Sequence, residues 1–74
     1  MKIKSVADLS PGESGIIRDL LDEALSLKLL EMGCIPGQPI KFIFAAPLGD
    51  PICVSVAGYN LSLRLDEANT ISLQ

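Results

Sequence analysis

The fold is decided by the stretch Leu29-Leu30-Glu31-Met32-Gly33-Cys34-Ile35-Pro36-Gly37. The residues before it have the spacing of a helix, and those after it alternate like strands separated by tight turns. Gly33 stands where a helix C-terminus favours positive φ, because glycine lacks the Cβ that makes this conformation costly. Pro36 cannot continue a helix, and Pro36-Gly37 suits the centre of a type II turn. The stretch therefore predicts a helix end fused to a turn that leads into a strand.

The helix that precedes this stretch is predicted over residues 23–32, with Asp22 as its N-cap. Leu25, Leu29 and Met32 share one face at the i, i+4, i+7 spacing of a core stripe. A second apolar stripe, on roughly the opposite side, consists of Ala24, Leu27 and Leu30. Either the helix is wedged between the strands and the terminal segments, or the second stripe is an exposed interaction surface. A domain of this size favours the wedge.

Five short strands are predicted from alternation and turn residues. In the clearest one, every second residue from Ile40 to Ala46 faces the same side, so Phe42 and Phe44 are expected to share a face. Gly58 and Asn60 are expected to supply the positive φ angles of a hairpin connection. The predicted strands cover residues 14–21, 38–46, 52–57, 61–65 and 70–73, and a helical turn is predicted over residues 66–69.

This order of elements predicts a mainly β fold. We expect a small, closed, five-stranded barrel with one inserted α-helix and a short helical turn before the last strand. Closure would remove the exposed sheet edges that an apolar chain must protect. The 74 residues are too few for two cores, so residues 1–74 are predicted to form a single domain.

The sequence composition indicates the cellular location of the chain. The N-terminal residues Met1 to Lys4 carry charge but are not followed by an apolar run, so no secretory signal is predicted. The expected location is cytoplasmic, where Cys34 and Cys53 would be free thiols. Cys34 follows the helix end and could be partly exposed, but both cysteines are expected to be small core or turn residues, because free cysteine is commonly buried. No apolar run approaches the length of about 20 residues that spans a bilayer, so membrane insertion is not expected.

The chain lacks the residues that several chemical functions require. The chain has no histidine, so it lacks the usual general base and the usual zinc ligand. The glycines are not followed by the Lys-Ser/Thr of a phosphate-binding loop. We therefore predict no catalytic, cofactor-binding or metal-ligating residues, and no cofactor. A net charge of −3, with scattered basic residues, argues against nucleic acid as a partner.

One charged side chain stands out. Arg64 points away from the apolar face of its strand and precedes Asp66 and Glu67. It is expected either to form a surface ion pair, which contributes little to stability, or to tie the helical turn to the barrel.

The order and spacing of several short motifs resemble the FeoA family, small cytosolic proteins of bacterial ferrous iron uptake. The motifs are Leu29-Leu30-Glu31-Met32-Gly33, Ile35-Pro36-Gly37, Ala46-Pro47-Leu48-Gly49-Asp50-Pro51, Gly58-Tyr59-Asn60-Leu61-Ser62-Leu63-Arg64 and Glu67-Ala68. The resemblance implies an SH3-like barrel that binds without catalysis. Its implied partner is the membrane ferrous iron transporter, which carries a cytosolic GTP-hydrolysing domain. An alternative that the resemblance leaves open is a metal-responsive regulatory module like the C-terminal domain of iron-dependent repressors.

A docking surface for protein is predicted on the second helix stripe and the turn that follows it. Its residues are Leu27, Leu30, Ile35 and Pro36. The reason is the apolar content, which exceeds what one core face requires. Self-association of the chain through the same stripe is the alternative.

Overall fold

The helix ends where the sequence predicts. The computed structural model describes residues 4–74, and its long helix, α1, spans Glu23–Glu31. The Asp22 side chain accepts hydrogen bonds from the first-turn amides of Ala24 and Leu25 at 2.8 and 3.2 Å, as expected of an N-cap. The boundary differs from the prediction by one residue at the C-terminal end.

A Schellman motif closes the C-terminal end of α1. Gly33 has a φ of +99°, and its N–H donates to the Leu30 carbonyl at 3.0 Å. The next amide, that of Cys34, donates to the Leu29 carbonyl at 2.9 Å, so two carbonyls without helical partners are satisfied. The chain then turns again, because the Gln38 N–H donates to the Ile35 carbonyl at 3.0 Å. The predicted helix end and turn are confirmed.

Five antiparallel strands form one sheet in the order β4-β3-β2-β1-β5. A 3-10 turn at Val6–Asp8 precedes β1, and a short helix, α2, at Leu65–Ala68 precedes β5. The strands are β1 (Ser14–Leu20), β2 (Pro39–Ala45), β3 (Ile52–Val56), β4 (Tyr59–Leu63) and β5 (Ile71–Leu73). This arrangement confirms the predicted mainly β architecture, with one inserted helix and a helical turn before the last strand.

The first strand joins the two halves of the sheet. Residues 14–16 of β1 pair with β2, and residues 17–20 pair with β5, with an irregular register between Ile17 and Asp19. The turn after α1 is bonded to β1 at this change of partner. The Gly37 N–H donates to the Ile17 carbonyl at 2.8 Å, and the Ile17 N–H donates to the Gln38 carbonyl at 2.9 Å. The position of α1 is thereby coupled to β1, which lies between β2 and β5.

The described residues share one apolar core. Leu29 from α1, Cys34 from the helix end and Ala68 from α2 join side chains from the strands. The buried apolar residues are Val6, Leu9, Ile17, Leu29, Cys34, Ile40, Phe42, Ile52, Val54, Val56, Leu63, Ala68, Ile71 and Leu73. Cys34 is fully buried, which confirms the interpretation of this residue as a small core residue. It occupies the Schellman position at which a side chain packs back onto the helix.

Two local predictions were wrong by a shift of one residue, one in strand β2 and one in the turn between β3 and β4. The register between β2 and β3 shifts between Phe42 and Phe44, so Phe42 is buried whereas Phe44 is 57% exposed. At the hairpin, Ala57 and Gly58 have φ angles of +53° and +83°, and Asn60 lies within β4. This is a two-residue type I′ connection, shifted by one position from the predicted one.

The sheet does not close upon itself by hydrogen bonds. Within residues 4–74, β4 and β5 each pair with a single strand and not with one another. The expectation that closure removes every exposed edge is therefore wrong for β4. None of the helices in this part of the chain is long and apolar enough to cross a bilayer. The predicted absence of a secretory signal concerns Met1 to Lys4, of which Met1–Ile3 lie outside the described residues.

Candidate protein-binding surface

The two apolar stripes of α1 lie in opposite environments. Leu29 is completely buried in the core, and Leu25 and Met32 are half-buried against it. Leu27 is 66% exposed and Leu30 is 41% exposed. Because they are three residues apart, these two side chains lie on one face of the helix. The wedge explanation is therefore wrong, and α1 presents its second stripe to solvent.

The other two predicted docking residues are held in the turn that follows α1. Ile35 is 47% exposed, and Pro36 is also exposed. The turn has a fixed backbone, because the Ile35 N–H donates to the Gly33 carbonyl and the Ile35 carbonyl accepts from Gln38. The structure thus exposes all four predicted residues, two on the helix face and two in the turn.

Acidic residues flank the exposed stripe. Glu23 and Glu31 lie four residues before and after Leu27, and both are exposed. Neither forms an ion pair with another residue in the range 4–74. Lys28, the basic residue beside Leu27, is directed to a carboxylate on α2. The surface offered by α1 is therefore apolar with an acidic rim, and a matching partner surface would be apolar with a basic rim.

Glu67 connects the two helices. The Lys28 Nζ lies 2.5 Å from Glu67 Oε2, and the Arg64 N–H donates to Glu67 Oε1 at 3.0 Å. Glu67 is only 6% exposed. The hydrogen bond from Lys28, followed by that from the Arg64 amide, lowers the pKa of this carboxyl below its usual value. The ion pair joins α1 to α2.

The sequence predicted either a surface ion pair for Arg64 or a bond from it that ties the helical turn to the barrel. The Arg64 guanidinium is exposed and forms no ion pair with a residue in the described range, whereas its backbone amide is bonded to Glu67. The sequence signal for Glu67 is its position three residues after the N-cap residue Arg64, the spacing of half of a capping box. The long-range partner, Lys28, left no signal, because the two residues are 39 positions apart.

Thiols and carboxylates are the side chains of this chain that could bind a metal ion. Burial raises the pKa of the Cys34 thiol, so this group stays neutral at physiological pH. Cys53 is half-buried, and both cysteines are free. Among the residues that the structure describes, no group of three or more Cys, Asp or Glu side chains is arranged to hold a metal ion.

Comparison with known proteins identifies relatives along almost the whole chain. A Fe(2+) transport protein A/Fe(2+) transporter FeoB fusion protein of Porphyromonas gingivalis is 31% identical over 70 residues, which are 93% of this chain and 8% of that protein. The chain therefore spans a small part of this curated relative.

Solved structures show the same fold. The solution structure of iron(II) transport protein A from Clostridium thermocellum is 36% identical, with a TM-score of 0.89 over 96% of this chain and 44% of that chain. The zinc-complexed FeoA of Stenotrophomonas maltophilia, described as an SH3 domain protein, has a TM-score of 0.84 over 96% of this chain and 89% of that chain. At 22% identity it shows the fold alone, and it confirms the SH3-like prediction. Residues 4–74 match the FeoA domain, and the chain belongs to the FeoA family.

Proposed function

We propose that this chain is a cytoplasmic accessory protein of bacterial ferrous iron uptake. It binds the cytosolic part of the membrane ferrous iron transporter and modulates its GTP hydrolysis, with no catalysis of its own. The observation that carries the proposal is the relative in which a transport protein A segment is fused to the transporter FeoB. Fusion in one polypeptide holds the two segments close together at a high effective concentration. The fusion therefore supports the association of the corresponding segments when they are separate chains.

The exposed face of α1 supports a binding role for this particular chain. Leu27, Leu30 and Ile35 are large apolar side chains that contribute little to the core while exposed to water. They are presented by a helix and a turn, and the turn is hydrogen-bonded to β1, so the face requires little reorganisation on binding. The proposed interface has these side chains at its centre and Glu23 and Glu31 at its rim.

The binding is tested by titrating the purified chain with the cytosolic part of a FeoB-type transporter in a calorimeter. We expect Leu27→Asp combined with Leu30→Asp to weaken binding by about tenfold or more, since charge is introduced at the apolar centre. Leu48→Asp is the matched control, because Leu48 is almost fully exposed in the β2–β3 loop. If the folded double variant binds as tightly as the control, the proposed surface is wrong.

The proposed effect on GTP hydrolysis is tested by a separate measurement. The GTP hydrolysis rate of the transporter's cytosolic part is measured with and without saturating chain, and the proposal requires the two rates to differ. Equal rates would limit the function to binding.

Self-association through the same face is the competing interpretation. Sedimentation of the isolated chain over a range of concentrations distinguishes the two. A dimer that the Leu27→Asp and Leu30→Asp changes dissociate would assign the face to a second copy of the chain.

A further inference from the structure

The outer edge of β4 carries unused main-chain groups. In a two-residue hairpin, the residues flanking the turn form a hydrogen-bonded pair, and the pairs then alternate along the ladder. Val56 and Tyr59 flank this turn, so Asn60 and Ser62 occupy the positions whose N–H and C=O groups point away from β3. Both residues are exposed, and within residues 4–74 these outward groups have no backbone partner. The edge contains no proline, charge or bulge that would block a further strand.

This edge adjoins a groove of about 640 Å³. Its lining includes Ser62 of β4 and Arg64, together with Lys28 of α1 and Met32, the C-cap of α1. The end of α1 lies close to the β3–β4 hairpin, since a Cβ built on Gly33 would lie 3.5 Å from the Ala57 Cβ. The groove is therefore lined by residues of both the edge strand, through Ser62, and the helix, and its size is within the range of ligand sites.

We propose that this groove binds an extended peptide segment of a partner protein, which adds to β4 as a sixth antiparallel strand. Strand addition satisfies the two outward N–H and C=O pairs of Asn60 and Ser62, and every second side chain of the peptide faces the groove. The site is separate from the exposed Leu27 and Leu30 face of α1 and does not depend on what that face binds.

Charge on the groove wall indicates a peptide with basic residues. The groove is lined by the carboxylates of Asp50, Asp66 and Glu67 and by the cations of Lys28 and Arg64. Glu67 and Lys28 neutralise one another at 2.5 Å. The remaining charges give an excess of one carboxylate, and Met32 and the neighbouring Pro51 provide apolar contact. A segment that alternates basic and apolar residues matches this surface.

The probe is an acetylated, amidated hexapeptide of alternating lysine and valine, added to the isotope-labelled chain and followed by amide chemical shifts. We expect the shifts to concentrate at Asn60 and Ser62 and at the Met32 end of α1. The control is the same peptide with alternate amides N-methylated, which keeps the charges but removes the donors on one edge. We expect it to produce no such pattern.

Two variants at one position separate strand addition from side-chain contact. Ser62→Pro removes the outward N–H without disturbing the ladder, because this amide does not bond to β3. We expect it to weaken peptide binding about fivefold, the equivalent of one main-chain hydrogen bond, whereas Ser62→Ala keeps the N–H and should weaken binding less.

Several results would overturn the proposal. They are an N-methylated peptide that binds equally well, shifts confined to Leu27 and Leu30, and the absence of any shift at millimolar peptide. Shifts on β4 that depend on protein concentration without peptide would assign the edge to a second copy of the chain, and would likewise overturn the proposal.

Discussion

The inward and outward faces of α1 have similar side chains and different surroundings. Leu29 on the inward face is fully buried among side chains of the sheet, whereas Leu27 on the outward face is 66% exposed. Helical periodicity finds both stripes but cannot say which of them the rest of the chain covers. The difference shows that the apolar side chains that the core leaves exposed can be identified only after the tertiary packing is known. The following predictions test whether the two faces have separate roles, one in stability and one in binding.

The largest expected effect lies on the inward face. Leu29→Ala should reduce the free energy of unfolding by about 2–5 kcal/mol, because it removes buried methyl groups and leaves a cavity. Leu27→Ala is the matched control on the same helix and should change it by no more than about 0.5 kcal/mol. Urea unfolding of both variants measures the difference. Equal losses would show that the two faces do not differ in packing.

The ion pair that anchors α1 gives a pH-dependent effect. The pKa of Glu67 is lowered in the folded state, so its contribution is complete above the ordinary value of 4.5 and is lost as the pH falls through the lowered folded pKa. Glu67→Gln should cost about 1.5–3 kcal/mol at neutral pH, the usual range for hydrogen bonds to a charged group, and much less in acid.

The measurement for this variant is the free energy of unfolding in urea at neutral and at acid pH. Asp66→Asn provides the control, because Asp66 is an exposed carboxylate on the same short helix. A Glu67→Gln variant with the same pH dependence as the unmodified chain would contradict the role assigned to this carboxylate.

A smaller effect is expected at the junction between α1 and the sheet. Gly33→Ala places a Cβ at a φ of +99°, which should cost about 1–2 kcal/mol in backbone strain. The new methyl group itself has room, since the nearest heavy atom outside the neighbouring residues would be 3.5 Å away. Thermal unfolding measures the loss, and Glu31→Ala, an exposed change in the last turn of α1, should have little effect. An unchanged melting temperature would refute the strain argument.

Local sequence signals located most of the fold. The Asp22 cap, the Gly33 helix end and the Pro36-Gly37 turn were predictable because each depends on residues a few positions apart. The features that were missed depend on long-range pairing. The register between β2 and β3 shifts before Phe44, and buried Glu67 is paired with Lys28 of another helix. For the candidate site, the four exposed residues were named from sequence, but their exposure required the packed structure.

The central claim is that the outward face of α1 binds the transporter while the inward face only stabilises the fold. Methyl-resolved NMR of the chain titrated with the transporter's cytosolic part tests it directly. The account predicts that the methyl signals of Leu27, Leu30 and Ile35 broaden or shift, while those of Leu29 and Val54 in the core stay in place. Unchanged Leu27 and Leu30 signals in a titration that perturbs another surface would contradict it.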